Sequence, residues 1–316
     1  MGAIIERMAH IYLYSPSGAV RDKAGFRRAL KRLQAQGHEV EVDPAALTSH
    51  QRFAGDDETR LAAIGRAAAS GAQVVLTTRG GYGLTRLLPY LPYDAIQQSV
   101  DKGSAWVGLS DFTALQAAVQ AQRGTTTWAG PALLEDWASE EAPDEIMQAC
   151  FDDLVSGVGE GTGWRLPASD FQAHPELATE QGWAAEGAVL WGGNLTVLCS
   201  LLGTPFFPQV QGGVLFLEDV GEHPYRIERM LTQLLHAGAL GQQRAILLGS
   251  FNRFQLSAHD KGFNLKQVIA WLRSQVTVPV LTSLPFGHVP TKVILPVAKP
   301  VDLYVHGREA LMFWEE

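Results

Sequence analysis

A chain of 316 residues, 46% hydrophobic and 18% charged, can bury a full core and has room for two domains, which excludes disorder. Its net charge of -8 comes without a basic stripe, which argues against nucleic acid as a partner. No apolar run reaches membrane-spanning length, and Met1 to Tyr14, with Glu6, Arg7 and His10, lacks the long apolar core of a signal peptide, so neither is expected.

In chain order, Ile11 to Tyr14 reads as a first strand, turned by Ser15-Pro16-Ser17-Gly18 into a helix whose Phe26, Leu30 and Leu33 share a face. His38 to Val42 is a second strand, and Asp56 to Ser70 a helix carrying Leu61 and Ile64. A third strand, Val74 to Thr78, runs into Arg79-Gly80-Gly81-Tyr82-Gly83, and a helix is expected through Leu84, Leu87 and Leu88. Next, Ala105-Trp106-Val107 is a short apolar strand, Gly108-Leu109-Ser110-Asp111 an abrupt turn, and Phe112 opens another helix. Strands alternating with helices imply a doubly wound, mostly parallel sheet, α/β in class. Such sheets bind ligands at the carboxyl ends of their strands. The loops at Ser15 to Gly18, Arg79 to Gly83 and Gly108 to Asp111 all fall there.

Residues 1–155 form an N-terminal α/β domain in this reading. From 156 to 186 the pattern weakens into Gly, Pro, Ser and acidic residues, as at a crossing between domains. A second domain, 187–316, then opens with Gly187 to Asn194 as strand and turn and Leu195 to Leu202 as a short helix. Val214 to Leu217 is a strand ending on Glu218-Asp219, and Pro224 to His236 is a helix with Ile227, Met230, Leu231, Leu234 and Leu235 on one face. Strands at Ala245 to Leu248 and Val278 to Leu281 follow, then the loop Leu284 to Pro290, then a β-rich end with Leu303 to Val305. Cys150 and Cys199 stand far apart and read as reduced thiols of a cytosolic protein. The nine histidines form no HExxH motif and the cysteines no CxxC, so no metal or cofactor is called for.

A serine on a tight strand-to-helix turn stands clear of its neighbours, and the backbone N–H groups after it welcome negative charge. Ser110 is therefore a candidate nucleophile, although an ordinary helix N-cap has the same pattern. A serine hydroxyl needs a base, and an imidazole needs an acceptor to fix its tautomer. His288, in a loop between prolines, and Glu218, closing an apolar strand, are the residues placed for those tasks. Each has a plain alternative, as a loop histidine and as the start of an acidic loop with Asp219 and Glu222. The run Gly81-Tyr82-Gly83-Leu84-Thr85-Arg86 lacks the third glycine of a dinucleotide fingerprint and lies outside the first βα unit, so its glycines read as a close backbone approach to a ligand.

Six motifs in order then carry a family resemblance over essentially the whole length: the Ser15 to Gly18 turn, Thr78 to Gly83, Gly108 to Thr113, Trp191-Gly192-Gly193-Asn194, Leu217-Glu218-Asp219, and Gly287-His288. The chain resembles the murein LD-carboxypeptidases (muramoyltetrapeptide carboxypeptidases), serine peptidases whose family also includes the microcin-immunity hydrolases. The resemblance implies Ser110 as nucleophile, His288 as general base and Glu218 as the carboxylate that orients it. It places the oxyanion donors on the backbone of Asp111 and of the Gly80-Gly81 turn. It further implies a smaller, β-rich swivelling second domain, a homodimer, and release of the terminal D-alanine from a cytosolic muropeptide tetrapeptide. Arg79, beside the glycine amides, is a candidate for holding the substrate's free carboxylate, with Tyr82 a second candidate contact. An α/β-hydrolase would want G-x-S-x-G, and Phe112 stands at the second glycine. A periplasmic-type peptide-binding protein would want a signal peptide. Within the family, the compact chain shows no insertion for a nucleotide-stacking loop, which favours the carboxypeptidase over an immunity-type hydrolase of peptidyl nucleotides.

Overall fold

The computed structural model describes residues 8–180 and 182–315; Glu6 and Arg7, at the expected non-signal terminus, lie outside them. The chain divides into two compact units, Met1–Gly159 with Pro290–Leu295, and Glu160–Val289 with Pro296–Glu316.

The first unit is the expected doubly wound sheet. β1 (His10–Tyr14), β2 (Glu39–Val42), β3 (Val74–Thr77), β4 (Ala105–Gly108) and β5 (Thr127–Ala129) lie in the order β5-β4-β3-β1-β2. Every pair among them is parallel. Parallel strands need crossovers, supplied here by α1 (Lys23–Ala35), α2 (Asp57–Ala69), α3 (Tyr93–Asp101) and α4 (Thr113–Arg123). β3 and β4 are apolar at nearly every position because helices cover both faces. α1 buries Phe26, Ala29 and Leu33, with Leu30 half-buried at the edge of the same face. The helix expected through Leu84 to Leu88 is instead two 3-10 turns, Leu84–Arg86 and Leu88–Tyr90. Pro89 has no N–H to give an α-helix, and its ring would strike the carbonyl four residues back, so the α-geometry waits until Tyr93.

Two further helices, α5 (Leu133–Asp136) and α6 (Glu145–Ser156), complete this unit's core, where the Trp137 and Phe151 rings meet edge to face at 5.0 Å. The segment Pro290–Leu295, which returns to this unit from late in the chain, is fastened to them by an ion pair and a hydrogen bond. Lys292 Nζ meets Asp136 Oδ1 at 2.5 Å with both side chains buried, and Thr291 Oγ1 donates to Asp144 Oδ2 at 2.6 Å. Burial pushes the Asp136 carboxyl up, and the Lys292 ammonium opposes it. Losing one partner would strand a buried charge, a change that costs about 3–5 kcal/mol.

The second unit holds a seven-stranded sheet built from β6 (Gly161–Arg165), β7 (Trp183–Asn194), β8 (Val214–Val220), β9 (Ala245–Asn252), β10 (Val280–Leu281), β12 (Pro300–His306) and β13 (Glu309–Phe313), in the order β10-β9-β8-β7-β12-β13-β6; β11 (Leu295–Val297) edges the other sheet. The half from β7 to β10 is parallel, with α8 (Leu195–Ser200), α9 (Pro224–His236) and α10 (Leu265–Gln275) as crossovers. The half from β7 to β6 is antiparallel. The second sheet is thus strand-rich as expected, but only half of it is a meander.

The stretch 156–186, expected as a crossing, holds structure of its own. The passage between units falls at Gly159, and β6, α7 (Ala168–Ala173) and the start of β7 belong to the second unit. β6 is an edge strand with Trp164 as its one buried side chain, paired to β13 through backbone groups that leave no periodicity to read. α7 is held by Asp170, fully buried, which accepts from Arg273 Nη2 at 2.7 Å and from the Thr282 N–H at 2.7 Å. Among the described residues, no helix is long and apolar enough to cross a membrane.

Candidate active site

Within the first unit, the loops after β1, β3 and β4 are bonded to one another. Strand order 2-1-3-4-5 reverses direction between β1 and β3, and the crevice at such a point is where open α/β sheets bind ligands. The Gly18 N–H donates to the Gly80 carbonyl at 3.3 Å, and Ser15 Oγ lies 2.6 Å from Thr78 Oγ1. Asp111, buried between the loops, accepts from Ser17 Oγ at 2.7 Å and from the Leu84 N–H at 2.9 Å. Burial pushes its carboxyl up, while those two hydrogen bonds and the charges of Arg60 and Arg52 pull it down.

Ser110 itself sits at φ +65°, the left-handed region that a side chain occupies at a cost of about 1–3 kcal/mol. It leads a short 3-10 turn, Ser110–Phe112, that runs into α4. Gly80 presses against it from the neighbouring loop: a Cβ on Gly80 would lie 2.6 Å from Ser110 Cβ, 2.7 Å from Oγ and 3.3 Å from the Asp111 nitrogen. Hydrogen alone fits there. Gly80→Ala is therefore expected to keep its fold yet lose about 100-fold or more in kcat/KM, because displacing Ser110 by a fraction of an ångström spoils its aim. Steady-state kinetics beside a thermal melt would check this, and unchanged turnover would show that the close approach has no catalytic use.

Arg79 and Tyr82 lie in the same loop. Arg79 is half-buried, and its Nη1 donates to the Ala19 carbonyl at 3.1 Å, so part of its guanidinium is spent on backbone. Tyr82 is exposed, 5.8 Å from the Phe53 ring.

In the second unit, Glu218 and His288 meet. Glu218, 1% exposed near the end of β8, places Oε2 2.8 Å from His288 Nδ1. The other oxygen, Oε1, accepts from Asn194 Nδ2 at 3.0 Å. His288 is buried too, and its carbonyl accepts from Asn252 Nδ2 at 2.9 Å. Gly287 makes the approach possible: its φ of +132° suits glycine, and a Cβ there would sit 3.1 Å from Glu218 Oε2. A register shift in the β8–β9 pairing between Leu217 and Asp219 lets Glu218 and Asp219 both be buried. Asp219 accepts from Thr196 Oγ1 at 2.7 Å and its N–H at 2.9 Å, and Asn194 Nδ2 bridges the two carboxylates by donating to Asp219 Oδ1 at 3.1 Å. Burial holds the Asp219 carboxyl above its usual range, and the Glu218 charge adds to that.

The structure thus brings Gly80 against Ser110 and Asp111 in one unit, and His288 onto Glu218 in the other. Sequence reasoning assigned no task to Asn194, although it closes the Trp191-Gly192-Gly193-Asn194 motif. It also passed over Arg52, Phe53 and Arg60, which lie in no motif it used. The Asp111 side chain was overlooked because only its backbone N–H had a stated use.

Chain comparisons agree in both units. Residues 11–130 match the model of the LD-carboxypeptidase N-terminal domain, and residues 187–303 that of the LD-carboxypeptidase C-terminal domain. A crystal structure of muramoyltetrapeptide carboxypeptidase from Oxalobacter formigenes is 34% identical at a TM-score of 0.82, covering 97% of this chain and 99% of its own. A putative carboxypeptidase of Streptomyces coelicolor is 32% identical over 303 residues, 93% of this chain and 90% of the relative. The microcin C7 self-immunity protein, solved with aspartyl sulfamoyl adenosine, is 21% identical at a TM-score of 0.82, covering 97% of this chain and 96% of its own, and so shares the fold. With both of its domains matched in order and a relative this similar along nearly its full length, the chain belongs to the LD-carboxypeptidase family.

Proposed function

We propose that this protein is a serine carboxypeptidase that hydrolyses the L-D amide of a muropeptide tetrapeptide and releases the terminal D-alanine. The observation that carries this reading is the strained, glycine-flanked Ser110 on a chain whose Glu218 and His288 are already paired. In the proposed mechanism Ser110 Oγ attacks the scissile carbonyl and His288 takes its proton. Glu218, on Nδ1, keeps the imidazole in the tautomer whose Nε2 lone pair can take the proton, and stabilises the imidazolium that forms. The Asp111 N–H and the Gly80-Gly81 amides receive the oxyanion. Protonated His288 then gives its proton to the leaving amine, and water releases the acyl group by the same route reversed. Asn194, fixing the far oxygen of Glu218, is a positioning residue. Cytosolic recycling of wall peptides and a homodimeric assembly belong to the same reading, carried by the family resemblance.

The immunity-type reading keeps the same chemistry on a peptidyl or aminoacyl nucleotide, and the fold shared with the self-immunity protein favours keeping it in view.

Muropeptides of defined stem length, analysed by mass, test the choice. The expected result is loss of one D-alanine from tetrapeptide and nothing from tripeptide or pentapeptide. An all-L tetrapeptide should react at least about 100-fold more slowly, since inverting the leaving centre moves its side chain into space the nucleophile needs. Equal rates on L-D and L-L peptides, or faster cleavage of an aminoacyl nucleotide, would remove the carboxypeptidase reading.

A further inference from the structure

Four arginines gather around the strand-end loops that carry Ser110, in a chain whose net charge is -8. Three of them donate to oxygens. Arg60, fully buried, donates to the Pro16 carbonyl at 3.1 Å and to Asp57 Oδ1 at 2.5 Å. Arg86 reaches Asp57 Oδ2 at 2.8 Å, and Arg79 holds the Ala19 carbonyl. Among the described residues, the guanidinium of Arg52 has no oxygen partner; it is exposed and lies 5.7 Å from the centre of the Tyr82 ring.

Arg52 is nevertheless tied to the candidate site. Its carbonyl accepts from the Ala19 N–H at 3.0 Å, and the adjoining Gly18 N–H donates to Gly80, which presses on Ser110. Its charge is felt by the buried Asp111 carboxylate. Tyr82, two residues beyond Gly80, packs on Phe53, so one ring cluster supports both partners. A cation resting on an aromatic face keeps its N–H fork free, and that fork matches a carboxylate in two parallel bonds. An exopeptidase that removes one C-terminal residue must bind the free carboxylate of the residue it releases.

We infer that Arg52, steadied by Tyr82, is the residue that recognises the substrate's free C-terminal carboxylate, in place of the Arg79 suggested by sequence. The inference rests on the carboxypeptidase reading and adds the group that sets its exopeptidase specificity. It is tested by comparing one L-D tetrapeptide as the free acid and as the C-terminal amide, with the wild-type chain, Arg52→Gln and Arg79→Gln. The wild type should prefer the acid. Arg52→Gln should lose roughly 10- to 100-fold in kcat/KM on the acid and change little on the amide, so the preference collapses. Arg52→Lys should recover part of the loss as a point charge without the fork. Tyr82→Leu should cost a few-fold, on the acid alone. Because the Arg52 side chain is exposed, its variants should melt with the wild type. Equal losses on both peptides, or collapse of the preference in Arg79→Gln with Arg52→Gln unaffected, would overturn the assignment while leaving the carboxypeptidase reading standing. Hydrolysis of neither peptide by the wild type would remove that reading, and this inference with it.

Discussion

Ser110→Ala should fold and melt like the wild type and lose hydrolysis by roughly 10³-fold or more. The hydroxyl is the atom that would bond to the substrate carbonyl, and the turn that holds it is built by its neighbours rather than by the hydroxyl. Backbone bonds of β4, the Asp111 contacts to Ser17 and Leu84, and the start of α4 all survive the change. What remains would be the contribution of oxyanion donors and substrate binding, which by themselves still accelerate hydrolysis over water. The companion variant Ser110→Gly separates stability from chemistry. Glycine takes φ +65° without steric cost, so this variant should be as inactive as alanine yet unfold at no lower temperature than wild type. Near-normal turnover in either variant would show that another residue is the nucleophile. A lowered melting point in the glycine variant would show that Ser110 is not strained.

His288→Ala should match the nucleophile variant in loss of activity, roughly 10³-fold or more in kcat, because nucleophile and base act as one unit and removing either removes both. Combining the two substitutions should then cost little beyond either alone, and that non-additivity is the sharper measurement. Two fully independent losses that multiply would mean that His288 serves some step other than activating Ser110. Glu218→Gln tests the proposed third member. The substituted amide can still accept from Nδ1, but no longer offers a charge to the imidazolium, so an intermediate loss is expected. This carboxylate is 1% exposed and held by Asn194 as well as His288, so a melt must accompany the kinetics. Activity equal to wild type in Glu218→Gln would reduce the contact to a structural one.

How much of this is legible in the sequence depends on whether the signal is local. The strand-turn-helix at Ser110 was legible because a short apolar run, a glycine and a helix start lie within eight residues. The helix Pro224–His236 was legible from its buried face alone, with Ile227, Met230, Leu231 and Leu234 at helical spacing. The parallel order of the first sheet followed from alternation, since each crossover helix carries its own apolar face. Glu218 and His288 were named by position in strand and loop and by family resemblance, but their contact spans seventy residues, and no local pattern encodes a distance across that gap.

Tertiary structure decided the rest, in each case because the deciding partner lies far along the chain. The edge strand β6 is specified by β13, almost 150 residues later, rather than by its own glycine-rich sequence. The return of Pro290–Leu295 to the first unit depends on Lys292 finding Asp136, two charged residues that sequence reading would place on the surface. Arg52, Arg60, Arg79 and Arg86 look alike as letters, and only packing shows which guanidiniums donate to carbonyls and Asp57 and which, among the described residues, has a ring contact but no oxygen partner. Composition, periodicity and motif order determined the fold class and the family. The pairing of charges, which depends on desolvation and on neighbours remote in the chain, was decided by the tertiary structure alone.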